Sequence, residues 1–126
     1  MLYMDNKYEI GNAAGEELKK KGYAFYADWR ISGPHSLYAQ YASVGDTKGN
    51  ATTGIGNYAA VSATGVANGA TVMGLAYGYS FSKRTQGYVA YNELKNDDGA
   101  TMSFGTAAAS IGGKQTVFGV GLRFSF

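Results

Sequence analysis

The sequence contains no cysteine, a single proline and a single histidine. Without cysteine there is no disulfide framework and no thiolate metal site. Charged residues make up only 16% of the chain, below the usual quarter. The net charge of +2 is small and scattered, which excludes the basic footprint of a nucleic-acid binder. No stretch approaches the roughly 18–20 apolar residues of a membrane-spanning helix. The opening MLYMDNKYEI has neither a basic leader region nor an apolar core, so it is not read as a signal peptide. What is abundant is glycine, 19 residues, and tyrosine, 11 residues. With little leucine beside them, these argue against a helical bundle and for an all-β chain of one domain.

The pattern agrees. In VFGVGLRFSF, residues 117–126, Phe118, Val120, Leu122, Phe124 and Phe126 fall on one face, and Val117, Gly119, Gly121, Arg123 and Ser125 on the other. Strand side chains alternate in this way. Tyr23, Phe25, Ala27, Trp29 and Ile31 repeat the pattern against Ala24, Tyr26, Asp28, Arg30 and Ser32. So do Leu37, Ala39 and Tyr41, and then Met73, Leu75, Tyr77, Tyr79 and Phe81. In TQGYVAYNELKN, Val89 and Tyr91 oppose Gln86, Tyr88 and Asn92. Strands are predicted near residues 2–10, 21–32, 36–46, 70–82, 85–96 and 114–126. ISGPHS and SKR read as tight turns, and the stretches beginning GDTKGN and NDDGAT as long unpatterned loops. Short turns then lie at one end of the sheet and long loops at the other. Such loops are unusual in compact domains and normal on the outer side of a transmembrane barrel.

Three features favour lipid outside the apolar face. The opposite face is rich in Gly, Ala and Ser rather than Lys, Glu and Thr. Trp29, Tyr79, Phe81, Phe124 and Phe126 gather toward the short-turn end, as an interfacial aromatic girdle would. Twelve residues at about 3.3 Å span about 40 Å, and a tilt of roughly 45° reduces that to about the hydrocarbon thickness. The fold expected is all-β: an antiparallel up-and-down transmembrane β-barrel, of which about six C-terminal strands would form an incomplete, curved open sheet.

The segment YGYSFSKRTQGYVAYNELKND, with the terminal GVGLRFSF, resembles the C-terminal end of a Gram-negative general porin of the beta-proteobacterial type. YSFSKRT resembles that family's penultimate short periplasmic turn, and YAFYADWRISGPHSLYAQYASVGDTKG its preceding hairpin. The resemblance covers about residues 21–126. It implies passive diffusion of ions and small hydrophilic solutes through a trimeric barrel in the outer membrane. The partners implied are outer-membrane lipid, lipopolysaccharide and the outer-membrane assembly machinery, with Phe126 as part of the assembly signal. Residues 1–126 would then be the C-terminal part of a longer barrel domain, because six strands fall short of the smallest single-chain barrels, which have about eight.

On that reading, parity makes Asp28, Arg30, Gln40, Asn92 and Arg123 lumen-facing. Wall charges of this kind select ions by sign, or merely keep the wall wetted. Lys83 and Arg84 solvate a turn, and Asp97 and Asp98 open a loop, with a divalent ion as the less favoured alternative. His35 beside Ser36 invites a hydrolase reading, which fails because adjacent strand residues point to opposite faces. TGIGNYAA is a negligible dinucleotide fingerprint without a flanking strand and helix. The sequon at Asn50 is idle in a bacterial setting. EELKKKG is read as one helical turn within a loop. No catalytic residue, metal ligand or cofactor is expected, and the chain is not read as an enzyme. The rival reading is a soluble or surface-exposed all-β binding module, adhesin- or lectin-like, and a third is a different outer-membrane barrel. Solubility without detergent separates the first two.

Overall fold

The computed structural model describes residues 1–9, 17–51, 67–105 and 110–126. They form one antiparallel sheet of seven strands. These are β1 (Leu2–Glu9), β2 (Glu17–Ser32), β3 (His35–Val44), β4 (Lys48–Gly49), β5 (Ala70–Ser80), β6 (Thr85–Asn96) and β7 (Lys114–Phe124). The order across the sheet is β1-β2-β3-β5-β6-β7, with β4 pairing the start of β2. The long strands thus form a meander, each beside its neighbour in the chain.

The ladders settle which residues share a face. Ala27, Ala39, Leu75, Tyr91 and Phe118 lie in one cross-strand row. Trp29, Leu37, Tyr77, Val89 and Val120 lie in another on the same face. The opposite face carries the row Tyr26, Gln40, Gly74, Asn92 and Val117. We call these the aromatic face and the glycine face.

The expected barrel is corrected by this topology. β1 and β7 are the two edges of the sheet, and no ladder joins them among the described residues. The architecture is an open antiparallel sheet of seven strands rather than six, not closed into a barrel. No helix among the described residues is long and apolar enough to cross a membrane, a statement that concerns helices alone.

Two local expectations also change. Within EELKKKG, Glu17–Gly22 is strand rather than helical turn, because β2 starts at Glu17 and pairs with β1 from Glu9↔Glu17 to Leu2↔Ala24. The pairing sets Lys7 opposite Lys19, a like-charge pair that would destabilise the ladder. Glu17 resolves it by bridging both, at 3.0 Å to Lys7 Nζ and 2.6 Å to Lys19 Nζ. Lys21 pairs with Asp5 at 3.0 Å. The second change is β4, which lies inside a stretch whose composition shows no pattern.

The turns have chemical causes. Gly33 has φ of +55°, the left-handed region that favours glycine, and it turns β2 into β3 ahead of Pro34. Between β5 and β6, the Ser82 hydroxyl accepts hydrogen bonds from the amides of Arg84 and Thr85, both at 3.1 Å. At the other end, side chains tie the long connections together. Asp46 Oδ1 accepts from the amides of Asn68 (2.7 Å) and Gly69 (3.0 Å), and Asn68 Oδ1 accepts from the Thr47 amide at 2.7 Å. Buried Lys20 donates to the Asn68 carbonyl at 3.0 Å. Asn96 Nδ2 donates to the carbonyls of Met102 (2.8 Å) and Gly113 (3.1 Å).

Among the described residues the buried core is small and sits at this long-connection end. It comprises Leu18, Ala51, Ala70, Leu94 and Ala100. Leu18 and Ala51 are fully enclosed, and Leu18 is the larger. Leu18→Ala is expected to cost about 2–5 kcal/mol, read as a fall in the urea midpoint with the slope unchanged.

Ion pairs on the aromatic face set the pH response. The Lys114 ammonium, 2.8 Å away, and the Tyr91 hydroxyl hold the Glu93 carboxyl below its ordinary 4.5. Lys19 and Lys7 hold Glu17 below 4.5 in the same way. Carboxyls depressed in the folded state add stability that is complete above the unfolded value and lost as pH falls through the lower folded value. The urea midpoint should therefore fall on acidification below about pH 4.5, and fall less steeply in the Glu17→Gln, Glu93→Gln double variant.

Candidate binding site

On the glycine face, β5 presents Gly74, Ala76 and Gly78 in alternation, leaving its backbone nearly bare. Long side chains from the flanking strands lean over the gaps. Gln40 Nε2 donates to Asn92 Oδ1 at 2.8 Å across Gly74. A Cβ at Gly74 would collide with both amides. Gln86 Nε2 donates to the Tyr38 hydroxyl at 3.3 Å across Gly78, where an added Cβ would stand 2.7 Å from Gln86 Nε2. Tyr88 lies over Gly121, with ring atoms 2.5 Å from where a Cβ would be. The glycines thus act through the space they leave rather than through unusual dihedrals.

Toward the short turns the same face hollows out. The cavity is open, about 590 Å³ in volume, and lies between the Gly33–Pro34 turn, the Ser82–Thr85 turn and the end of β7. Its floor is small: Ser36, 7% exposed, with Gly33 and Ser80. Its walls carry Arg30, Lys83, Arg84 and Arg123, with Asp28 as the single carboxylate. None of these five charged groups takes part in an ion pair among the described residues. Like charges gathered without partners leave a positive potential in a concave wall.

Residues singled out from the sequence separate into three places. Asp28, Arg30 and Arg123 meet in the hollow. Gln40 and Asn92 lie farther up the glycine face, in a shallower depression with Tyr26 and Tyr38. Trp29 and Tyr79 lie on the aromatic face, in rows with Leu37 and His35, and Phe124 pairs opposite Thr85. Phe81 edges against the Tyr79 ring at 5.1 Å between centroids. Phe126 lies beyond the end of β7 and is fully exposed.

His35 and Ser36 point to opposite faces: the His35 imidazole meets the Tyr77 hydroxyl and the Tyr79 ring, while Ser36 floors the hollow. Asn50 Oδ1 accepts from the Glu17 amide at 2.8 Å, so the sequon asparagine anchors the start of β2. TGIGNYAA, residues 53–60, lies outside the described residues. Among the described residues no group of three or more His, Asp or Glu side chains could hold a metal ion. Sequence reasoning had set Lys83 and Arg84 aside as turn solvation. Their position beside Arg30 depends on two hairpin turns meeting at one end of the sheet, which spacing along the chain does not encode.

No family model, curated protein or solved structure matches the chain. The porin resemblance is corrected accordingly. It rested on the SKRT turn and the terminal aromatic strand, and neither brings the chain into a family. Solute passage needs a wall closed around a lumen, and this sheet has two edges. The outer-membrane placement, the homotrimer, the lipid and lipopolysaccharide partners and the assembly machinery were all consequences of that barrel and fall with it. Asp28, Arg30, Gln40, Asn92 and Arg123 share one face of an open sheet.

The bridge over Gly74 supplies a test of this face. Gly74→Val should break the Gln40–Asn92 hydrogen bond and lower stability by about 1–3 kcal/mol through overpacking, with both side-chain amide resonances shifting. Unmoved amide resonances would show that the two side chains do not meet over the glycine.

Proposed function

We propose that the chain is a soluble or surface-exposed all-β binding module, lectin-like in character, whose cationic hollow takes an anionic ligand such as a sulfated or uronate-containing saccharide. The observation that carries this reading is the set of four cationic side chains around one carboxylate in the hollow, with no ion pair among them. Guanidinium groups match carboxylate and sulfate oxygens bidentately. Arg30 pairs with Ser36 across the β2–β3 ladder and Arg123 with Gln86 across the β6–β7 ladder, so both forks are presented from strands of one sheet. Asp28 supplies an acceptor for a sugar hydroxyl, and the half-buried Tyr38 an apolar ring edge beside it. Binding of this kind involves no covalent step.

Calorimetric titration with a sulfated uronate disaccharide at low salt tests the reading. Saturable binding is expected, weakening steeply as salt is added because exposed charges are screened. Arg30→Ala with Arg123→Ala should weaken it at least about tenfold, the loss of roughly 1.4 kcal/mol or more. A neutral disaccharide of the same size should not bind. Equal binding of the charged and neutral sugars, or no effect of the double substitution, would defeat the proposal.

A further inference from the structure

The aromatic face is an extended apolar surface that nothing among the described residues covers. Trp29 is 61% exposed, Leu75 53%, Phe118 70%, Val120 69% and Leu122 60%, although all stand side by side on one sheet. Single exposed apolar residues need no explanation, but a contiguous patch above a few hundred Å² does. The patch runs from β2 to β7 through consecutive cross-strand rows. Aromatic side chains each present about 150–250 Å², so the exposed fractions here leave on the order of 1,000 Å² of apolar surface on one copy. Two copies facing each other would cover about 2,000 Å², within the range of permanent dimers and above the roughly 1,000 Å² that a specific interface needs.

From this we infer that the aromatic face packs against the same face of a second copy of the chain, forming a two-sheet sandwich about a two-fold axis. Three features favour a second copy as the occupant. The central rows, from Ala27–Phe118 to Trp29–Val120, contain no charged side chain, so the surface is complementary to itself. The charged groups on this face stand at the long-connection end, where Glu17 pairs with Lys7 and Lys19, Asp5 with Lys21, and Glu93 with Lys114, beside Lys48 and Lys95. They form a charged rim along one end of an apolar centre, the anatomy of a stable interface. The covered area, finally, is what such a dimer requires. Two twisted sheets pack in this way about 10 Å apart with strands within about 30° of each other. The hollow on the glycine face remains on the outside of both sheets.

The sole tryptophan, Trp29, lies in this face and reports on it directly. Sedimentation equilibrium on the full chain should give twice the 13.3 kDa chain mass at micromolar concentration. Trp29 emission should move to shorter wavelength as concentration rises through the dimer transition. Leu75→Lys with Val120→Lys, at exposed positions in the centre of the patch, should return the mass to that of one chain and hold Trp29 emission at long wavelength. Tyr26→Lys, on the glycine face, should leave both signals at the wild-type value. Far-ultraviolet circular dichroism like that of the wild type establishes that the variants keep the sheet. If they lose it, the concentration dependence of wild-type Trp29 emission decides alone. A concentration-independent monomer, a polydisperse aggregate, a dimer that survives the two lysines, or transfer of the chain onto phosphatidylcholine vesicles in place of dimerisation would each overturn the inference.

Discussion

Cross-strand register governs everything else in this molecule. The ladders from β2 through β3, β5 and β6 to β7 run residue against residue, with one irregularity, between Arg30 and Ser32. Because side chains alternate with period two, a slip of one residue would carry a whole strand's apolar set to the opposite face. Register is what holds Trp29, Tyr77 and Val120 on one surface while Arg30 and Arg123 occupy the other. It also places Gly74 and Gly78 beneath the amides of Gln40, Asn92 and Gln86. A hydrogen-bonded backbone therefore divides the sheet into a polar, glycine-rich face and an apolar, aromatic one.

The two surfaces pose different physical problems. On the glycine face, side chains have been removed from β5 so that neighbours can cross over it, and the polar groups there find partners at 2.8–3.3 Å. On the aromatic face the Phe81 ring crosses over Gly87 in the same way, but elsewhere bulky groups stand in open rows. The small core at the long-connection end, centred on Leu18, is too limited to account for the rest of the sheet. Ladders and cross-strand pairs carry the remainder, among them the stacked Tyr23 and Tyr41 rings, with centroids 6.1 Å apart.

Much of this was legible in the sequence, and the reasons for the gaps are physical. Alternation revealed the strands around Trp29, Leu75, Tyr91 and Val120, and it sorted their side chains correctly between faces. It failed at Glu17–Gly22, because a run of lysines looks solvated until a partner strand supplies Asp5 and sets Lys7 across the ladder. It also failed at β4, whose two residues are too few to show any period. The hollow was half visible: Asp28, Arg30 and Arg123 were singled out, but Lys83 and Arg84 join them only through the meeting of two turns. The larger error was closure. A strand pattern states that an apolar face must be covered without stating what covers it, and a tight SKRT turn with a terminal aromatic suits any long antiparallel meander.

The meander order has a consequence for how the chain reaches this state. β2 with β3, and β5 with β6, are hairpins closed by turns of a few residues, and such units form in about 1–10 μs. The joint between them is of another kind. His35 meets Tyr79 and Val44 meets Ala70, so β3 and β5 can zip only after a long intervening segment has closed on itself. That closure entropy rises slowly with loop length. The Asp46–Asn68 clasp stands at the mouth of the segment, beside the Val44–Ala70 pair. Two fast local units and one slower seam follow from the topology, and the seam lies where a short acidic side chain grips two amides.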